Sequence, residues 1–154
     1  MVDEITLMEK NGDEYNTQHL DTLNVLYDKF VAAYPKDTLA VRYLLSSAQS
    51  SYTRGTEDAR YLEAAIQKFS SIIANYGESK EVEMAIFLLG SIYENKGDTV
   101  KAREFYEQYV KKYPAGSYAE SVRSILDGNV GLSAEEWMKK FQLEGKIDSL
   151  PKVK

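Results

Sequence analysis

Residues 83–116 read EMAIFLLGSIYENKGDTVKAREFYEQYVKKYPAG, and this stretch decides the fold. A helix is predicted from Lys80 to Lys96, and Gly97-Asp98 stops it. A second helix follows from Thr99 to Tyr113, and Pro114 closes it because proline cannot continue a helix interior. Gly97-Asp98 reads as the turn between two antiparallel helices. Small Gly90 and Ala102 let the two helices approach where they cross, and Tyr93 and Tyr106 fill the gaps around that crossing.

The same pattern extends in both directions. Leu20, Leu23, Tyr27, Phe30, Val31 and Tyr34 recur every three or four residues, which makes one apolar stripe on a helix over 17–34. Further helices are predicted over 39–52 and 59–76, the latter with Leu62, Ala65, Ile66, Phe69, Ile72 and Ile73 inward. A shorter helix covers 117–126. Ser133-Ala134-Glu135-Glu136 is a capping box that opens a last helix over 133–143. Residues 1–16 and 144–154 read as a loose leading segment and a loose tail. The three prolines, Pro35, Pro114 and Pro151, interrupt none of these helices, and alternating β-branched runs are nearly absent. The chain reads as all-α, one helical domain over 17–143.

Three segments resemble one another: Phe30 to Asp37, Ile72 to Ser79 and Tyr109 to Ser117. Each ends a helix with Tyr followed by Pro or Gly, and the next helix has Ala near its start, at Ala40, Ala85 and Ala119. Tyr34 and Tyr76 are 42 residues apart, Tyr76 and Tyr113 are 37 apart, a period typical of stacked helical hairpins.

The spacing of Leu89, Gly90, Tyr93, Ala102 and Pro114 resembles the tetratricopeptide repeat closely. An earlier, degenerate copy is read over 39–77, with Ser46 for the glycine, Gln49 for the tyrosine, Ala65 and Phe69 in place, and a connection about seven residues longer. The helix over 17–34 reads as half a repeat without its partner, and 117–126 as a capping helix. The resemblance implies a short right-handed α-solenoid of antiparallel helix pairs with a C-terminal capping helix over 133–143. The Tyr-Pro turns followed by small polar residues, together with Gly131-Leu132-Ser133-Ala134-Glu135-Glu136, are similar to small bacterial cell-envelope repeat proteins, of the outer-membrane-assembly lipoprotein and Tol–Pal-associated types. That likeness implies a periplasmic or outer-membrane-attached location. Met1 to Tyr15 is polar and mixed in charge and does not read as an export signal, so such a location requires the signal to have been removed from a precursor.

Composition narrows the chemistry. The 154 residues carry a net charge of −5, which disfavours a general nucleic-acid binder. No run is apolar and long enough to span a membrane. There is no cysteine and one histidine, which removes thiolate chemistry and leaves little for a metal site or triad. His19 has no orienting partner in any known signature and reads as structural. Glu57-Asp58, Glu78 with Glu81 and Glu83, and Glu135-Glu136 sit at helix starts, where negative charge suits the helix dipole. Asp127-Gly128-Asn129 lacks the remaining ligands of a calcium loop and reads as a turn. No catalytic residue, metal ligand or cofactor is assigned, and the chain is expected not to be an enzyme.

What remains is a binding surface. The resemblance places the first helix of each unit along a concave groove. The corresponding positions here are Ala40, Tyr43, Ser47 and Ser50, then Met84, Phe87, Ser91 and Glu94, then Tyr118 and Ser121. Tyr43, Phe87 and Tyr118 are the expected aromatic anchors for a peptide or helix of a protein partner, with Glu94 and Asn95 setting polarity. These positions lack the Lys, Asn and Arg of a carboxylate clamp. Two alternatives stand beside this: flanking helices fill the groove, or either the groove or the end helices make a homo-oligomer. Trp137 is either an end-surface anchor or part of a helix that seals the solenoid end.

Overall fold

The computed structural model describes residues 1–11, 17–56, 58–128, 130–131, 135–136 and 138–139. Among them it is all-helical: α1 (Val2–Asn11), α2 (Thr17–Ala33), α3 (Thr38–Arg54), α4 (Ala59–Asn75), α5 (Glu81–Asn95), α6 (Thr99–Lys112) and α7 (Ala119–Asp127). Each helix packs on the next in chain order, and α3 also touches α5. This is a tetratricopeptide-like helical solenoid.

The helix boundaries follow local chemistry. Asp37, Asp58 and Asp98 each accept a backbone N–H from the first turn of α3, α4 and α6. Gly97 takes φ 76° in the α5–α6 turn, a left-handed conformation costly for any residue with a Cβ. The α2–α3, α4–α5 and α6–α7 turns repeat one hydrogen-bond pattern. Tyr34, Tyr76 and Tyr113 each donate N–H to the carbonyl four residues back, to Phe30, Ile72 and Tyr109. Their carbonyls accept from Asp37, Ser79 and Gly116, whose own carbonyls accept from Ala40, Val82 and Ala119.

These turns fix the repeat register, and the buried residues obey it. Leu23, Tyr27 and Phe30 on α2 recur as Ala65, Phe69 and Ile72 on α4, and as Ala102, Tyr106 and Tyr109 on α6. Ala40, Tyr43, Leu44, Ser47 and Ala48 on α3 stand 42 residues before Val82, Ala85, Ile86, Leu89 and Gly90 on α5, and all ten are buried. The small residue at the first unit's crossing is therefore Ala48, two residues beyond the expected Ser46. The connection is correspondingly shorter than expected. Residues 55–58 link α3 to α4 and residues 96–98 link α5 to α6, while α3 and α4 have 17 residues each against 15 and 14 for α5 and α6. The extra length extends the hairpin mainly as helix.

A second correction concerns the N-terminus. The expected loose segment is helix α1, which pairs with α2 and supplies the half-repeat's missing partner. Ile5 has no exposed surface and packs in a cluster with Leu23, Leu26, Tyr27, Phe30, Ala40 and Tyr43. It stands 42 residues before Ser47, on the same register. Glu9 accepts a hydrogen bond from Tyr27 Oη at 2.8 Å, which ties the far end of α1 to α2.

The interior falls into two clusters. The larger runs from α3 to α7; the smaller joins α1, α2 and the start of α3. Polar contacts lie where α2, α3 and α4 meet. Ser47 donates to Asp28 at 2.9 Å, and Lys68 Nζ lies 2.6 Å from Ser47 Oγ and 2.9 Å from Asp28. Ser47 holds the place that Leu89 holds in the next unit, so a buried hydroxyl there requires these partners. Of the expected capping helix, only residues 135–136 and 138–139 are described, and they are helical; the rest, and the tail over 144–154, lie outside the described residues.

Candidate functional site

Helices α3 and α5, the first helices of successive units, meet each other as well as their own partners, which puts them on the inner side of the stack. Three contacts span α3 and α5 along this side. Gln49 Nε2 donates to Met84 Sδ at 3.0 Å. Tyr52 Oη lies 3.4 Å from Ser91 Oγ and accepts from Asn95 Nδ2 at 3.5 Å. Further along, Phe87 stacks on Tyr118 with ring centroids 4.2 Å apart and planes 4° from parallel. Met84, Phe87, Ser91 and Tyr118 are half-buried, and Glu94 and Asn95 are exposed, so these six expected residues share one accessible face.

The expected residues of α3 do not join them. Tyr43 is 1% exposed and Ser47 is fully buried. Tyr43 stacks on Tyr27 at 5.2 Å and meets Phe30 edge-on at 5.0 Å. Ser50 accepts from Asn24 of α2 at 2.7 Å. These three face the preceding helix because the unit's register lies two residues from the one expected. The α3 residues on the same register as Met84, Phe87, Ser91 and Glu94 are Arg42, which is exposed, and Leu45, Gln49 and Tyr52, which are half-buried. The spacing of 42 between Tyr34 and Tyr76 already carries that register; the apparent Leu-Ser match at 45–46 hid it.

The described C-terminal residues leave this face clear. Val130 carbonyl accepts from Arg103 at 3.0 Å, and Gly131 lies against Thr99, so the segment passes along α6, a second helix. Trp137 lies outside the described residues.

Behind the face stand tyrosines held by carboxylates. Tyr106 donates to Glu94 at 2.7 Å, and Tyr109 donates to Glu83 at 2.6 Å. Burial, and then these carboxylate acceptors, raise both phenols; Tyr109 is pushed up to about 12. Tyr27, buried and bonded to Glu9, is raised in the same way. These groups lock helices together. Among the described residues no group of three or more His, Asp or Glu could hold a metal ion, and no helix is long and apolar enough to cross a membrane.

A stack of antiparallel helix pairs with an aromatic face on its first helices defines a helical-repeat scaffold. Residues 84–115 match the family model of the tetratricopeptide repeat, which covers the α5–α6 unit. No curated protein and no solved structure matches the chain. Repeats of this kind are generally non-catalytic protein-interaction units, so the match points to protein partners.

Proposed function

We propose that the protein is a non-catalytic scaffold that holds a peptide or helix of a partner protein along its concave face. One observation carries this reading: half-buried Leu45, Tyr52 and Phe87 follow one another across two units, with Gln49, Ser91 and Asn95 beside them. Aromatic anchors separated by small hydrogen-bonding groups suit an extended or helical segment. The bacterial cell envelope is the proposed location, and its support is the likeness of the Tyr-Pro turns to envelope repeat proteins. The test is affinity capture from a cell-envelope extract with wild type and with Tyr52→Ala/Phe87→Ala. Capture of a defined protein by wild type and its loss in the double variant, at unchanged helical content, is expected. Equal capture by both removes the concave face from the reading.

Self-association is the second reading. Leu7 is 60% exposed and Val25 is 51% exposed, both on the first helix pair. The mass in solution at micromolar concentration tests it: a dimer abolished by Leu7→Glu supports it, and a monomer at all concentrations ends it.

A further inference from the structure

The turns between units form two junctions of like geometry, and they are filled differently. At the second, Glu83 reaches into the turn before α7, where its carboxylate accepts from Ser117 N–H and Tyr109 Oη. Tyr109 Oη in turn accepts from Tyr118 N–H at 2.8 Å. The chain satisfies that helix start from within. At the first junction, 42 residues earlier, the place of Glu83 is taken by Val41, which has no polar atom to offer. Lys80, at the N-cap of α5, makes no side-chain cap bond.

A cleft of about 600 Å³ opens there, between the α2–α3 and α4–α5 turns. Pro35, Val41 and Tyr76 give it an apolar wall, and Tyr76 Oη is held by Pro35 carbonyl at 2.8 Å. Two polar groups lining it lack partners among the described residues. Glu81 is 8% exposed and makes no ion pair or hydrogen bond. Ser79 Oγ is buried and unbonded. Ser79 Oγ, buried without a partner, is costly to leave so, and the Glu81 carboxylate, whose oxygens still reach solvent in the cleft, has only water to complete it. The first turn of α5 moderates that cost through its dipole but supplies no hydrogen bond.

We propose that this cleft is a second docking site, one that receives a basic side chain, arginine or lysine, from a protein partner. The aliphatic stem lies on Pro35, Val41 and Tyr76, and the cationic head donates to Glu81 and Ser79. A charge-assisted bond of this kind is stronger than a neutral one and gains further from the low exposure of Glu81. Lys36 and Lys80, exposed at the rim, suit an acidic neighbour of the inserted residue. The site lies at the turn edge of the solenoid, apart from the concave face, so a partner that uses both is held at two points. The inference rests on the scaffold reading only for the identity of the ligand as a protein.

The test is an NMR titration of the full chain with N-acetyl-arginine N-methylamide, with the norleucine analogue as apolar control. Shifts confined to amides of residues 36–41 and 75–82 are expected, about tenfold weaker binding in Glu81→Gln, and no comparable effect of the norleucine compound. Glu81→Gln keeps the side chain's shape, and an unchanged wild-type-like spectrum verifies its fold. Equal shifts with norleucine, equal affinity in Glu81→Gln, or no shifts at these amides overturns the proposal. Any of these leaves the concave-face reading standing, because the probe does not depend on it.

Discussion

At the scale of single residues, a close constraint inside the helix crossing is at Gly90. A Cβ added there would stand 2.5 Å from Tyr106 Cε1 and 2.7 Å from its Cδ1. The ring is buried and its hydroxyl is tied to Glu94, so it cannot swing aside freely. Gly90→Val is expected to cost roughly 1–3 kcal/mol by overpacking, read by urea denaturation; an unchanged midpoint would show that the crossing yields. The buried tyrosines set a pH limit. Below pH 10 the Tyr109 phenol is protonated in both folded and unfolded chains, so its contribution is complete. Between its ordinary value of 10.0 and its folded value of about 12 the unfolded chain sheds the proton first, and stability falls as pH rises. Tyr109→Phe is expected to flatten part of the decline above pH 10, though it lowers stability at neutral pH by removing the bonds to Glu83 and Tyr118. A slope unchanged in that variant would assign the alkaline loss elsewhere. Residue identity alone could not separate Tyr43 from Phe87: both are aromatic and early in a first helix, but a shift of two residues turns one towards α2 and leaves the other accessible.

At the scale of helices, the stripes over 17–34 and 59–76 were legible because each repeats an apolar residue every three or four positions, and the helix over 99–113 from its bounds at Gly97-Asp98 and Pro114. Helix α1 was not, because only Ile5 is fully buried and its neighbours are largely charged or exposed. Its place is decided by packing against α2, which no local pattern announces. Ile5→Ala is therefore expected to destabilise the α1–α2 pair by roughly 2–5 kcal/mol. Hydrogen exchange should show α2 amides opening sooner while those of α5 and α6 remain the slowest. Equal acceleration throughout would mean that the two clusters unfold as one. The boundary between them, with Ser47, Asp28 and Lys68, was also invisible in sequence, since three polar residues on three helices carry no periodic signal.

At the scale of the whole molecule, the solenoid was legible from one well-formed unit and two tyrosine spacings, 42 and 37. The accessible face was half legible. Met84, Phe87 and Ser91 follow from the good unit, whereas Arg42, Leu45, Gln49 and Tyr52 follow only when the tyrosine spacing of 42, and not the Leu45-Ser46 match, sets the register, as the like turns at Ala40 and Val82 show. The central claim is that the first helices, and not the second, meet the partner. Site-specific photo-crosslinking in the source cell tests it most directly, with the reactive residue placed at Gln49 or Ser91 on first helices, or at Gln67 or Glu104 on second helices. The concave-face assignment predicts one crosslinked partner from Gln49 and from Ser91, and none from Gln67 or Glu104. Crosslinks to the same partner from Gln67 and Glu104 with none from Gln49 and Ser91 would contradict it.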